Sequence, residues 1–314
     1  MQSGKELISP IVQLKVELLP LVLIEKNPPE LAEETKNLEI VEKKKSRKKK
    51  FSEITAFNPR DLMEAMEVPF LALSKKRTKP IAYQSKDGKV KVNITPHTNH
   101  YLATIYDWDI IQCIAGKIQE TINSGQDIPP RKIIIPRQKL LKELQKDDGK
   151  KARKEIEQSL SRLRFTGIET TIRNEDYRYK GGFGFIDSWG YTERKDIKEF
   201  QITLSDWLYD GICSQGSLLK VSNEYFKITS GLKKFLYRTA RKHVGSNNNW
   251  EFSVEKLYEK SGSEQEFKKF KYDLKKAVLD NDIPEYFLEW TEDENKTLVR
   301  FSNKRKELIK MLTQ

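Results

Sequence analysis

The sequence predicts an α+β fold in which one small helix-and-strand module occurs twice behind a basic N-terminal tail. Three observations predict it. The first is Gly149 to Gly167, where Ala152, Ile156, Leu160 and Leu163 recur at helical spacing and give one apolar stripe. The other side of that helical wheel carries Lys150, Lys151, Lys154, Gln158, Ser161 and Arg162. Gly167 ends the helix, and Ile168-Glu-Thr-Thr-Ile172 switches to an extended pattern. The second is the return of the same order of signals about a hundred residues later. The third is charge: a net +12 with a pI near 9.3 favours a polyanionic partner, nucleic acid before a membrane surface. A helix with an apolar back, a basic and amide-bearing front and a strand at its heel is how a winged-helix module presents a reading helix to DNA. A solvated amphipathic helix is the alternative for either stretch alone.

The 314 residues suffice for two domains and a tail. Only 37% are hydrophobic and 33% are charged, so part of the chain is expected to be solvated rather than packed. The domains expected are a disordered basic tail over residues 1–66 and winged-helix domains over 67–211 and 212–314. Cys113 and Cys213 lie far apart, which excludes a disulfide framework or a cysteine-rich zinc module and fits a reducing cytosol. The most apolar stretch, Leu7 to Ile24, is broken by Pro10, Lys15, Glu17 and Pro20, so neither a membrane helix nor a secretory core is expected. The expected location is the bacterial cytoplasm, without membrane attachment.

Taken in order, residues 1–60 read as tail, with Lys43-Lys-Lys-Ser-Arg-Lys-Lys-Lys50 too charged to bury. Val68 to Ser74, Pro80 to Tyr83 and Val90 to Ile94 read as short strands, with Asp87-Gly88 a turn. A helix follows Asp107, its buried stripe Trp108, Ile111, Ile114, Ala115, Ile118 and Ile122, and Ser124-Gly125 stops it. Lys132 to Ile135 is a strand. Pro136 opens the next helix, where its missing N–H costs nothing, and Leu140, Leu141 and Leu144 give that helix its core face. The basic helix and strand 168–173 come next. A wing hairpin is expected about Lys180-Gly181-Gly182, with strands near 183–187 and 197–204.

The second copy opens with a helix from Ser230 to Lys242, followed by a strand at Trp250-Glu-Phe252 and a helix capped by Ser253. Ser263-Glu-Gln-Glu266 reads as a capping box. The helix it opens turns Phe267, Phe270, Leu274, Ala277 and Val278 inward and Gln265, Lys268, Lys269, Tyr272, Lys275 and Lys276 outward. Two strands about the turn Glu292-Asp-Glu-Asn295, and a helix from Asn303 to Leu312, complete it.

Little in the chain suggests catalysis. His97 and His100 are spaced His-x-x-His, His243 is the only other histidine, and a zinc site needs more ligands nearby. The pair therefore reads as a surface feature, and no metal or cofactor is expected. No Gly-x4-Gly-Lys-Ser/Thr is present, which argues against an intrinsic ATP motor. Gly182-Phe-Gly-Phe-Ile186 resembles the core of an RNA-recognition signature but has Gly181 and Ser188 at its flanks; glycines serving a tight turn explain it better. The basic helices say more. Lysine and arginine neutralise phosphates without reading sequence, whereas Gln158, Arg162, Gln265 and Tyr272 suit base edges in the major groove. Arg178 and Lys180, on the expected wing, suit the phosphate backbone.

From Val68 to Thr171 the chain resembles the replication initiator A family of bacterial plasmids, and more weakly to about residue 310. The residues that carry this are Pro69-Phe-Leu-Ala-Leu-Ser-Lys-Lys-Arg77, Pro80-Ile-Ala-Tyr83, Leu102-Ala-Thr-Ile-Tyr-Asp-Trp-Asp-Ile110 and Leu160-Ser-Arg-Leu-Arg-Phe-Thr-Gly-Ile-Glu-Thr-Thr-Ile172. The resemblance implies an initiator that binds repeated double-stranded sites at a plasmid origin through two winged helices. It also implies recruitment of the host replication initiator and helicase, and homodimers that repress the initiator's own gene. A winged-helix transcriptional regulator is the competing binding reading. A rolling-circle nickase is the competing enzyme, disfavoured because such enzymes carry a His-hydrophobe-His pair that this chain lacks.

Overall fold

The computed structural model describes residues 58–173, 181–195, 197–245, 247–293 and 296–312. These described residues belong to one compact unit. It opens with β1 (Arg60–Leu62) and α1 (Met63–Glu67), then β2 (Ile81–Gln84), β3 (Lys91–Pro96) and α2 (Trp108–Asn123). Next come β4 (Lys132–Pro136), α3 (Arg137–Glu143), α4 (Lys150–Arg164), β5 (Thr166–Thr170), β6 (Ile186–Arg194) and β7 (Ile197–Leu204). After α5 (Asp206–Cys213), β8 (Leu218–Lys220) and a 3-10 turn (Asn223–Lys227), the chain runs through α6 (Gly231–His243), β9 (Asn249–Ser253) and α7 (Val254–Ser261). It closes with α8 (Phe267–Asp280), β10 (Tyr286–Asp293), β11 (Lys296–Asn303) and α9 (Lys304–Leu312).

One plan is used twice. In the first half α2, β4, α3, α4, β6 and β7 follow one another, and the strands form an antiparallel sheet in the order β4-β7-β6. In the second, α6, β9, α7, α8, β10 and β11 repeat that order, with the sheet β9-β11-β10. In each, the strand after the first helix pairs with the last strand, Ile133 opposite Ile202 in one and Phe252 opposite Val299 in the other. The halves differ by an insertion after α4, where β5 leaves the module and joins β2 and β3 in a separate sheet.

Period decides what each element buries. Ile133 and Ile135 alternate inward along β4, as a half-buried strand requires. Ile156, Leu160 and Leu163 of α4 are buried at helical spacing in one core with Trp108, Ile111 and Ile118 of α2. Each such aliphatic side chain contributes about 1.5–3 kcal/mol on full burial. Ser205, Ser230 and Ser253 each accept a backbone N–H in the first turn of the helix that follows, so these starts are fixed by local chemistry.

Several expectations need correction. The expected tail over 1–66 is too long: Arg60 to Leu62 pairs with β8 and Met63 to Glu67 is helical, while residues 1–57 lie outside the described residues. Val68 to Ser74 is not a strand. Phe70, Leu71 and Ala72 are buried in succession, which the two-sided alternation of a strand does not give, and Ala72 makes only a single bridge to Thr104. The first module also has a long hairpin, β6–β7, with Arg194 opposite Ile197; the hairpin expected about Lys180-Gly181-Gly182 lies largely outside the described residues, with Phe183 bridging antiparallel to Ile168 on its far side. A bulge at Asp187 shifts the phase of alternation, so Trp189 and Tyr191 continue a strand that seemed to end there. The expected capping box does not form either. Helix α8 starts at Phe267 with no side-chain cap, and Ser263 Oγ accepts only from the Gln265 N–H.

The halves meet through ionic contacts as well as apolar ones. Glu67 of α1 receives Lys260 Nζ at 2.6 Å and Lys242 Nζ at 2.7 Å, with His243 Nε2 at 3.5 Å. Burial pushes the Glu67 carboxyl up, but the adjacent His243 ring and the Lys242 and Lys260 ammonium groups outweigh it and hold it well below the usual carboxylate range. The folded state therefore binds this proton less readily than the unfolded chain. Its stabilisation is present above the unfolded value of about 4.3 and is lost as pH falls below it. The thermal midpoint should drop on acidification from about pH 6 to about pH 3, and Glu67→Gln should flatten that slope. An unchanged slope in the variant would remove Glu67 from the account.

Candidate nucleic-acid interface

Ion pairs fix the start of helix α4. Arg137 pairs with Asp148 at 2.9 Å and Lys146 with Glu155 at 2.9 Å near its start. In the first turn Arg153 lies over the Tyr191 ring and pairs with Glu193 at 2.8 Å, which ties the helix to the β6–β7 hairpin. With its apolar stripe buried, α4 leaves Lys150, Lys151, Lys154 and Gln158 exposed and Ser161 half-buried.

Arg162 departs from the expected outward face. Its guanidinium turns inward and grips Asp107 at 2.7 and 2.8 Å. Asp107 is 1% exposed and also accepts from the Thr104 N–H and hydroxyl. Burial lowers the Arg162 pKa, yet the hydrogen bond and charge of Asp107 raise it above its ordinary value overall. A cation so held is a structural clamp rather than a side chain free to reach a base.

Helix α8 presents Lys268, Tyr272, Lys275 and Lys276 outward, with Tyr272 67% exposed. Lys269 is exposed too, and its ammonium lies 2.6 Å from Asp273. That hydrogen bond, with a second from Gln265, holds Asp273 below the usual carboxylate range. Gln265 precedes the helix; its Nε2 donates to Asp273 at 3.0 Å, which leaves one N–H and the amide oxygen for other partners. Lys275 sits over the Trp290 ring and 3.2 Å from Glu292 at the end of β10.

Charge placement at the helix starts differs along the chain. Helices α2, α5 and α7 carry Asp109, Asp206 and Glu255 in their first turns, the sign the helix dipole favours. The first turns of α4 and α8, like those of α3 and α6, contain no acid. They hold the pairs Lys150–Lys151 and Lys268–Lys269, where a cation costs the isolated helix roughly 0.3–1 kcal/mol. Lysines and dipole together make each start attractive to a phosphate.

The β6–β7 hairpin adds exposed Arg194, Lys195 and Lys198, which the sequence reading missed. Their signal was present as Glu-Arg-Lys-Asp-Ile-Lys between two alternating stretches. The corresponding turn of the second module has Glu292-Asp-Glu-Asn295 in its sequence, so the two hairpins are opposite in charge. Arg178 and Lys180, expected on the wing, lie outside the described residues. Among the described residues no group of three or more His, Cys, Asp or Glu is placed to hold a metal, and no helix is long and apolar enough to cross a membrane.

Comparisons with known proteins identify a family and a shared fold. Residues 60–288 match the model of the family described as Replication initiator protein A. A protein of Wigglesworthia glossinidia brevipalpis named "Putative replication protein" is 33% identical over 232 residues, covering 72% of this chain and 83% of that one. Two crystal structures of domains 2 and 3 of RctB share the fold at 12% identity. One, of a selenomethionine derivative, has a TM-score of 0.57 and covers 77% of this chain and 98% of that one. The other has a TM-score of 0.50 and covers 79% and 98%. With the match running from β1 into β10, the chain belongs to the replication initiator protein A family.

Proposed function

We propose that this initiator binds repeated duplex sites at a plasmid origin through two winged helices, with α4 and α8 as the reading helices, and there recruits the host replication initiator and helicase. The observation that carries the reading is the pair of topologically equivalent helices whose first turns hold lysines where the dipole favours acids. Lys150, Lys151, Lys154 and the Arg194–Lys198 hairpin grip phosphates. Gln265, with Lys268, Lys269, Tyr272, Lys275 and Lys276 around it, supplies most of the base reading, and Gln158 contributes from α4. The chemistry is binding without strand cleavage.

Footprinting beside the gene should find protected direct repeats, with both strands intact on a denaturing gel. Protection of a promoter without repeats would make the chain a regulator instead, and a covalently attached nicked strand would overturn the non-enzymatic reading. On such a repeat, log affinity should fall with log salt by about 0.9 per phosphate neutralised. Lys151→Ala with Lys154→Ala should weaken cognate and scrambled DNA alike and lower that slope by about one per lost contact. Gln265→Ala should cost about 1–3 kcal/mol on cognate DNA alone. The division of labour fails if Gln265→Ala leaves the cognate-to-scrambled ratio unchanged while the lysine pair collapses it.

A further inference from the structure

The loop between α1 and β2 carries positive charge that neither reading helix accounts for. Ser74, Lys75, Lys76, Thr78 and Lys79 are exposed, and Arg77 among them is buried. The Arg77 guanidinium donates to the Lys79 and Pro80 carbonyls at 2.9 Å, and to the Gly262 carbonyl between α7 and α8. The Arg77 carbonyl accepts the Leu102 N–H. Gly262 has a φ of +56°, and a Cβ there would stand 2.6 Å from Pro69 Cβ, so the two chain segments meet with no room for a side chain. One buried cation thus fixes the shape of the loop and ties it to the approach to α8.

Contacts on either side place the loop between the two reading helices. Helix α4 turns Arg153 towards the β6–β7 hairpin, and helical spacing puts Glu155 and Arg162 on the opposite flank. Arg162 grips Asp107, and the ring of the adjacent residue, Tyr106, lies 4.9 Å from the Lys75 ammonium. The hydrogen bond from Lys146 chiefly lowers the Glu155 pKa against its burial, and the charge of Lys75 adds to it. Helix α8 shows the same division. Lys271 and Lys275 reach Thr297 and Glu292 of the β10–β11 hairpin. On the other flank Asp273, Lys276 and Asp280 line a cleft with Ser74 and Arg77, and Ser74 Oγ donates to Glu264 at 2.9 Å. Each reading helix therefore has its hairpin on one flank and this loop on the other.

Lysines around the loop are neutralised: Lys146 by Glu155, Lys233 by Asp280 and Lys269 by Asp273. Lys76 and Lys79 are exposed and form no ion pair among the described residues. A duplex held by two helices must carry its backbone across the gap between them, and lysines in that gap release its counterions. We infer that loop 74–79 is a third DNA-binding element, whose Lys76 and Lys79 grip the phosphates between the duplex segments that α4 and α8 read. The inference rests on the proposed function and adds a contact made by neither reading helix and by neither hairpin. Because Arg77 holds the loop backbone before DNA arrives, only the two lysine stems are ordered on binding. The contact positions the duplex and reads no base.

The test uses the full chain and the repeat that footprinting identifies. Dimethyl sulfate protection of guanine N7 marks the two major-groove segments, and a second duplex carries uncharged methylphosphonates at the phosphates between them. At about 0.15 M salt the wild type should bind the substituted duplex about five-fold more weakly per contact removed, the counterion-release value. The Lys76→Ala, Lys79→Ala double variant should lose as much on the natural repeat and nothing further on the substituted one. Its log–log salt slope should fall by about one per lysine. Lys76→Arg with Lys79→Arg should bind as the wild type does, and the thermal midpoints should not change because both side chains are exposed. The Lys151→Ala, Lys154→Ala variant should stay sensitive to the substitution. The inference is overturned by wild-type affinity in the loop variant, by a wild type indifferent to the methylphosphonates, or by losses that multiply when the two changes are combined. Failure of the proposed function looks different: no repeat is protected, or only one segment is, and the loop contact falls with it.

Discussion

Asp61→Ala should lower the stability of the chain by about 3–5 kcal/mol, the cost of stranding a buried charge. Asp61 is fully buried, and its two oxygens accept Arg238 Nε at 2.6 Å, Trp108 Nε1 at 2.8 Å and Gln112 Nε2 at 2.8 Å. Arg238 itself is buried, with only the Ala65 carbonyl at 2.9 Å as a further acceptor. Burial pulls the Arg238 pKa down, but the adjacent Asp61 charge more than reverses this, so the guanidinium stays charged in the folded chain. Alanine would leave that charge, an indole N–H and an amide without their acceptor. The effect belongs to the unpaired cation rather than to the pair's net worth, so a second change separates them. Asp61→Leu combined with Arg238→Met should recover most of the loss, because a well-packed apolar pair commonly equals or exceeds a buried ion pair. Urea unfolding of the three variants measures this. A loss below about 1 kcal/mol for Asp61→Ala would mean that water reaches Arg238, and the buried network would lose its place as the link between β1 and α6.

That link also explains what sequence could and could not disclose. Helices α2 and α4 were legible because their apolar residues recur on one face, and a local period needs no knowledge of distant chain. Asp61 sits in Arg-Asp-Leu-Met-Glu-Ala-Met-Glu, which looks like the end of a charged tail. What makes it core is Arg238, 177 residues away. Position on a wheel assigned the α4 lysines and Gln158 correctly to solvent, yet it misassigned Arg162, whose acceptor Asp107 is 55 residues distant. Long cationic side chains can leave the face their Cβ suggests, so a wheel places the stem and not the charge. Strand β6 was cut short for a different reason: the bulge at Asp187 breaks a period that the pairing itself restores. Local pattern thus gave the elements, and what it missed was fixed by partners remote in sequence or by irregular backbone.

Arg162 provides the sharpest separation between a reading side chain and a structural one. Arg162→Ala should reduce stability by about 1.5–3 kcal/mol, the range for hydrogen bonds to a charged group. The loss should be smaller than at Asp61 because Asp107 retains two donors from Thr104, its N–H at 2.8 Å and its hydroxyl at 2.9 Å. Arg162→Lys should restore only part of the loss, since an ammonium cannot reproduce the two parallel bonds of a guanidinium. The clamp joins α4 to the residue just before α2, so its loss should loosen the seating of α4 while leaving Lys150, Lys151, Lys154 and Gln158 chemically intact. Binding measured well below the variant's unfolding transition should therefore keep its preference for cognate over scrambled repeats. Thermal and urea unfolding, paired with binding to both DNAs at matched salt, test the assignment. A variant as stable as the wild type that has lost its sequence preference would return Arg162 to the reading face.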